Sequence, residues 1–85
     1  MNVSIRYLSA VREQAGRRRD EVRLPSGSTL SAAAGWIRSN RGIEVPGPAL
    51  MSTLNGRGWA QLPEGMATTL AEGDEIALFP LLSGG

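Results

Sequence analysis

The sequence predicts an α+β fold, with one main helix packed on a mixed sheet of four or five strands. Three observations predict it. Apolar residues alternate with polar ones in short runs near both ends of the chain, the period of a half-buried strand. One central run carries apolar residues at helical spacing. Clusters of Gly, Pro and Asn separate these runs and leave no linker long enough to divide 85 residues into two domains.

Each element follows in order. In Asn2-Val3-Ser4-Ile5-Arg6-Tyr7-Leu8, Val3, Ile5 and Tyr7 share one face and Asn2, Ser4 and Arg6 the other, as in a strand with one buried face. Ser9 is placed to cap a short helical turn over residues 10–14, with Gly16 ending it. Arg17-Arg18-Arg19-Asp20 reads as a solvated charged turn, and Glu21-Val22-Arg23-Leu24 as a strand stopped by Pro25. Strand, short connection, strand is the pattern of an antiparallel hairpin.

Ser28 is the expected N-cap of the main helix. Leu30, Ala33, Ala34 and Ile37 form its apolar stripe, with Trp36 at the margin. Gly35 is expected to allow a close approach to the sheet. Arg38 and Arg41 suit the negative C-terminal end of the helix and Gly42 its C′ position. Residues 42–48, with Pro46-Gly47-Pro48, read as a loop. Leu50–Leu54 reads as a strand, and Asn55-Gly56 as a tight hairpin turn. Trp59–Leu62 is expected as a short edge strand, Thr68–Leu70 as a brief helical turn, and Glu72-Gly73-Asp74 as a turn. Glu75–Phe79 is the last strand, with Pro80 stopping regular pairing because it lacks an N–H. Two hairpins flanking a crossover helix, with the last strand beside the first, make a ubiquitin-like roll.

Composition restricts the chemistry. The chain has no Cys and no His, and its nine basic residues are all Arg. Disulfides, thiol nucleophiles, Cys-ligated metals, His bases and lysine Schiff bases are all excluded. A metal site is not expected, and Glu72, Asp74 and Glu75 are explained by a turn. A net charge of +1 gives no strong field towards nucleic acid or a membrane. Residues 1–15 contain Glu13 and do not read as a signal peptide, so a cytoplasmic location is expected. Trp36 and Trp59 are expected to pack the core or its rim.

The informative feature is the ending Gly84-Gly85. Glycines lack a Cβ and can thread a channel closed to other residues. The reactive group would be the Gly85 carboxylate, activated as an acyl-adenylate. Residues 1–80 are expected to form the domain and residues 81–85 a flexible tail. If Ile76 and Leu78 face the core, Ala77 and Phe79 face outward. Phe79, Leu81 and Leu82 then make an apolar patch beside the reactive end, the other reading being that Phe79 folds back over the sheet edge; with Pro80 and Ser83 they are the candidate partner-binding residues.

The ending Gly73-Asp74-Glu75-Ile76-Ala77-Leu78-Phe79-Pro80-Leu81-Leu82-Ser83-Gly84-Gly85 resembles the MoaD family, the small subunit of molybdopterin synthase. That family carries G-D-E, a hydrophobic strand, then F-P-P-V-[ST]-G-G. Val11-Arg12-Glu13 followed by Gly16 is similar to its V-R-E-x-x-G turn. Leu81-Leu82 departs from the usual Pro-Val. The resemblance implies a ubiquitin-like β-grasp fold and no permanently bound cofactor. It implies that Gly85 is adenylated by a MoeB-like enzyme using ATP. A sulfur donor such as a cysteine desulfurase or rhodanese then supplies the sulfur of a C-terminal thiocarboxylate. It further implies a MoaE-like large subunit, in a heterotetramer, that carries the catalytic side chains, with Arg12 as a partner contact. Related carriers serve thiamine, cysteine or tRNA thiolation. A ubiquitin-like modifier joined through Gly85 to target lysines, or a plain interaction module, are the other readings. Without lysine, the amino group of Met1 is the primary amine left on the chain.

Overall fold

The computed structural model describes residues 1–81. In order they form β1 (Asn2–Tyr7), α1 (Ala10–Ala15), β2 (Arg19–Arg23), α2 (Leu30–Arg41), β3 (Leu50–Leu54), β4 (Arg57–Gly58), 3-10 turns at Trp59–Gln61 and Gly65–Ala67, and β5 (Glu75–Pro80). The five strands make one sheet in the order β2-β1-β5-β3-β4. β1 and β2 are an antiparallel hairpin, and β5 lies parallel to β1 and antiparallel to β3. This is the ubiquitin-like β-grasp.

The alternation in the sequence sets the layers. Val3, Ile5 and Tyr7 from β1, Val22 from β2, and Ile76 and Leu78 from β5 are buried on one face. α2 covers that face with Leu30, Ala33, Ala34 and Ile37, all buried. Burying a Leu or Ile side chain stabilises the fold by about 1.5–3 kcal/mol. The close approach of helix to sheet rests on Ala33 and Ala34. Gly35 is half-buried, and a Cβ built there meets nothing nearer than the Arg38 guanidinium at 3.8 Å, so the close packing expected of Gly35 is absent. Gly42 ends α2 as expected, at φ 67°, with its N–H donating to the Arg38 carbonyl.

Several local expectations are corrected. The α2 N-cap is Thr29, and no side chain caps it; Ser28 Oγ donates instead to the Pro25 carbonyl at 2.7 Å. The Leu30 N–H is satisfied by the Thr68 carbonyl at 2.9 Å, and the Leu70 N–H by the Ser28 carbonyl. Residues 68–70 are thus extended along the start of the helix, and the helical turn falls earlier, at Gly65–Ala67. Trp59–Leu62 does not continue as a strand. A 3-10 turn swings the Trp59 ring inward, where it is buried, while Ala60 and Gln61 stay exposed. Ile43 and Val45, in what reads as a loop, are core residues. The Arg38 guanidinium holds that segment by donating to the Val45 carbonyl.

The β3–β4 turn has Asn55 at φ 51° and Gly56 at φ 86°, both left-handed. That is the backbone demanded by an Asn-Gly hairpin turn. Gly56→Ala is expected to cost about 1 kcal/mol, because an L side chain is strained there. The melting temperature should fall by about 4–8 °C.

Candidate functional site

The site is the end of β5, where the described chain leaves the sheet. Ile76 and Leu78 are fully buried and anchor the strand from below. Ala77 and Phe79 alternate onto the outer face, which α2 does not cover, and are half-buried. Across the antiparallel pair, Phe79 faces Met51 and Ala77 faces Thr53. Met51 is 37% exposed and Leu81 53% exposed, the large exposed hydrophobics among the described residues. Phe79, Met51 and Leu81 together form an apolar patch at the end of β5. Met51 belongs to it only through the register of β3 on β5, which no local pattern encodes.

Pro80 does not end the pairing. It lies level with Leu50, and the Leu81 N–H donates to the Ala49 carbonyl at 3.1 Å. β3 is therefore clamped to the chain one residue past the proline. Leu82, Ser83, Gly84 and Gly85 lie outside the described residues.

α1 packs beside this same end. Leu8, two residues before the helix, donates its N–H to the Leu78 carbonyl at 3.0 Å. Ser9 precedes the helix without a side-chain cap, and Gly16 closes it at φ 77°. Arg12 is exposed on α1, and no hydrogen bond or ion pair engages its guanidinium among the described residues. A shallow cleft of about 320 Å³ separates α1 from the 43–50 segment, with Val11, Gln14, Ile43, Leu50 and Pro80 in its walls. The arrangement presents an apolar patch, a cation unpaired among the described residues, and a groove around the end of β5.

Residues 17–20 are not a freely solvated turn. Arg19 and Asp20 belong to β2, and Asp20 is buried, 8% exposed. Its carboxylate accepts the Tyr7 hydroxyl at 2.7 Å, Arg41 Nε at 2.8 Å, Arg41 Nη2 at 2.7 Å and Arg17 Nη1 at 3.0 Å. The Arg41 bonds hold Asp20 down at about 2 against the opposing effect of burial. Burial first, and then the bond to Asp20, push the Tyr7 hydroxyl far above its ordinary value. Arg41 also lies over the Trp36 ring, 5.2 Å from its centre. With its acceptor sites filled and little of it exposed, this carboxylate is a fastener between hairpin and helix, not a base. A signal was present: Asp20 lies in step with Val22, on the inward parity of β2.

Arg19, Glu72 and Asp74 are also engaged. Arg19 bonds Glu21 at 2.7 Å and Ser4 Oγ. Glu72 accepts the Asn2 N–H, and Asp74 accepts from Ala71 N–H and Asn55 Nδ2. Among the described residues no group of three His, Cys, Asp or Glu stands close enough to hold a metal ion. Among the described residues no helix is long and apolar enough to cross a membrane.

The ThiS family model matches residues 5–85. The chain belongs to the ThiS family. Its members are ubiquitin-like sulfur carriers, so the family accounts for the fold. No curated protein matches the sequence. Among solved structures, small archaeal modifier protein 1 of Haloferax volcanii is 22% identical, with all of both chains covered and a TM-score of 0.77. A putative molybdopterin converting factor subunit 1 from Pyrococcus furiosus is 21% identical, covering 96% of this chain and 99% of that one, with a TM-score of 0.78. The complex of subunits 1 and 2 of the molybdopterin-converting factor from Helicobacter pylori contains a chain 19% identical, fully covered, with a TM-score of 0.69. These likenesses carry the β-grasp fold.

Proposed function

We propose that this member of the ThiS family carries sulfur as a Gly85 thiocarboxylate and serves as the small subunit of molybdopterin synthase. A MoeB-like enzyme uses ATP to adenylate the Gly85 carboxylate, because a free carboxylate does not undergo acyl transfer. Sulfur from a donor such as a cysteine desulfurase or rhodanese then displaces AMP. The large, MoaE-like subunit takes the tail into its own active site, excludes water and supplies the acid and base groups. The observation that carries this reading is the family match running through to Gly85 on a chain without Cys, His or Lys. Such a chain brings a reactive end and leaves the side-chain chemistry to its partner.

The patch of Phe79, Met51 and Leu81 supports a partner that docks around the tail, since aromatic and aliphatic anchors dominate interface energetics. Arg12 is placed to meet a carboxylate on such a partner. The choice of pathway is supported by Phe79-Pro80 before Ser83-Gly84-Gly85 and by the Arg12 turn. The likeness to an archaeal modifier protein favours a second reading, conjugation through Gly85 to lysines of target proteins.

Intact mass spectrometry of the protein co-expressed with its activating enzyme tests the proposal. Replacement of one carboxyl oxygen by sulfur at Gly85 is expected, together with rescue of molybdenum-cofactor synthesis in a strain lacking its small subunit. Thiocarboxylate without that rescue would assign the sulfur to another acceptor. Isopeptide adducts and no thiocarboxylate would favour the modifier.

A further inference from the structure

A sheet leaves unpaired backbone groups at its two edges, and a further strand can add to either. The edges are β2 and β4. β4 is two residues long and runs straight into the Trp59 turn, so it offers little to pair with. β2 is five residues long, contains no proline, and pairs with β1 without a bulge. The hairpin bonds show which of its groups are free. The Tyr7 N–H donates to the Arg18 carbonyl and the Leu24 N–H to the Met1 carbonyl, so the even-numbered residues aim their backbone at β1. Arg19, Glu21 and Arg23 therefore turn N–H and C=O outward, and among the described residues no backbone group meets them there.

The side chains decide what can join this edge. Arg17, Arg18, Arg19 and Arg23 crowd it. Arg18 and Arg23 are exposed, and their guanidinium groups make no hydrogen bond or ion pair among the described residues. The acids opposing them are already engaged. Asp20 is buried and shared by Arg17 and Arg41, and Glu21 holds Arg19 at 2.7 Å. The edge is thus positive on a chain whose net charge is only +1. Its inner side is apolar. Leu24 and Trp36 are partly buried there, and Arg41 ties Trp36 to β2 by bonding Asp20 and lying 5.2 Å from the ring centre.

A second copy matches this edge poorly. An antiparallel pair centred on Glu21 sets Glu21 against Glu21 and Arg19 against Arg23. Centred on Asp20, it sets Arg17 against Arg23. Like charges directly opposite are destabilising. Centred on Val22, it sets Arg19 against Pro25, which has no N–H to give.

We propose that the β2 edge receives an acidic extended segment of another protein as an added antiparallel strand. Acidic side chains lie opposite Arg19 and Arg23, an uncharged one lies opposite Glu21, and the apolar residues between them face the side of Leu24 and Trp36. Main-chain bonds to Arg19, Glu21 and Arg23 hold the strand, and the arginines select its charge. β1 separates β2 from β5 in the sheet, so the end of β5 stays open, and the proposal is independent of any chemistry at Gly85.

An acetylated and amidated peptide containing Glu-Val-Thr-Val-Glu, titrated into the isotope-labelled full chain, tests this by NMR. Saturable shifts and slowed hydrogen exchange are expected at the amides of Arg19, Glu21 and Arg23, while those of Met51 and Phe79 stay in place. A methyl group on the threonine nitrogen removes the donor facing Glu21 and should abolish binding. A methyl group on a valine nitrogen points away from β2 and should leave binding intact. Arg23→Glu sets like charges opposite each other and should weaken binding about fivefold. Equal binding of the two methylated peptides would reduce the site to a charge contact and overturn strand addition. Failure of the three amides to shift would overturn it too. A dimer of the free chain that protects the same three amides would give the edge to a second copy and sink the proposal.

Discussion

Asp20→Ala is expected to destabilise the fold by about 3–5 kcal/mol, the cost of breaking a hydrogen-bonded charge pair whose carboxylate is buried. Arg41, whose side chain is 17% exposed, loses its two short bonds. The buried Tyr7 hydroxyl loses its only acceptor among the described residues. A domain of this size has a total stability of roughly 4–13 kcal/mol, so the variant should melt at least about 12 °C lower. A double change of Asp20→Leu with Arg41→Met removes both charges together. It should recover much of the loss, because apolar replacements of a buried pair are often neutral or better. Thermal denaturation of the three proteins checks this. A single-site loss below about 1 kcal/mol would show that solvent already screens the cluster.

The same cluster gives an acid limit. Asp20 stands at about 2 in the folded chain, against 3.8 ordinarily. The folded form thus binds fewer protons than the unfolded one in that window. The stabilisation is complete above about pH 4 and is lost as pH falls towards 2. It amounts to roughly 2 kcal/mol at 1.36 kcal/mol per unit. Asp20→Asn should flatten the stability profile between pH 4 and 2.

This cluster is also where the sequence was hardest to read. After Arg17-Arg18-Arg19, an aspartate followed by a glutamate looks like solvent-facing charge. Only the parity of Asp20 with Val22, together with an arginine twenty-one positions later, separates a buried fastener from a solvated turn. The second fact is tertiary. Strand alternation and the helical stripe were plainly legible, because burial on one face imposes their periods directly. The β1–β5 pairing followed from the hairpin–helix–hairpin order. Trp59 is buried as its size suggests, but it enters the core from a 3-10 turn where the sequence reads as an edge strand. Ile43 and Val45 were hidden by the prolines around them, although their alternation with Glu44 is a strand-like signal. At the site, Phe79 and its neighbours were visible in the sequence, whereas Met51 joins them only across the sheet.

Adding a single alanine after Gly85 is expected to abolish thiocarboxylate formation while leaving the melting temperature unchanged. The two outcomes separate because the two roles occupy different parts of the chain. The buried core and every described backbone bond, down to the one from Leu81 to Ala49, lie within residues 1–81, and the added residue leaves all of those side chains unchanged. The chemistry is different. One more residue moves the carboxyl by about 3.5 Å, and a misplacement of 1 Å at a reacting centre costs about 10²-fold. The added Cβ also stands where the two glycines present none. Thiocarboxylation by the activating enzyme with ATP and sulfide, followed by intact mass, should fall below detection. Gly84→Val keeps the carboxyl in its place and adds only bulk, so its partial or complete loss measures how narrow the partner's channel is. If the extended chain is thiocarboxylated at the wild-type rate, the terminal carboxyl of Gly85 is not the group that reacts.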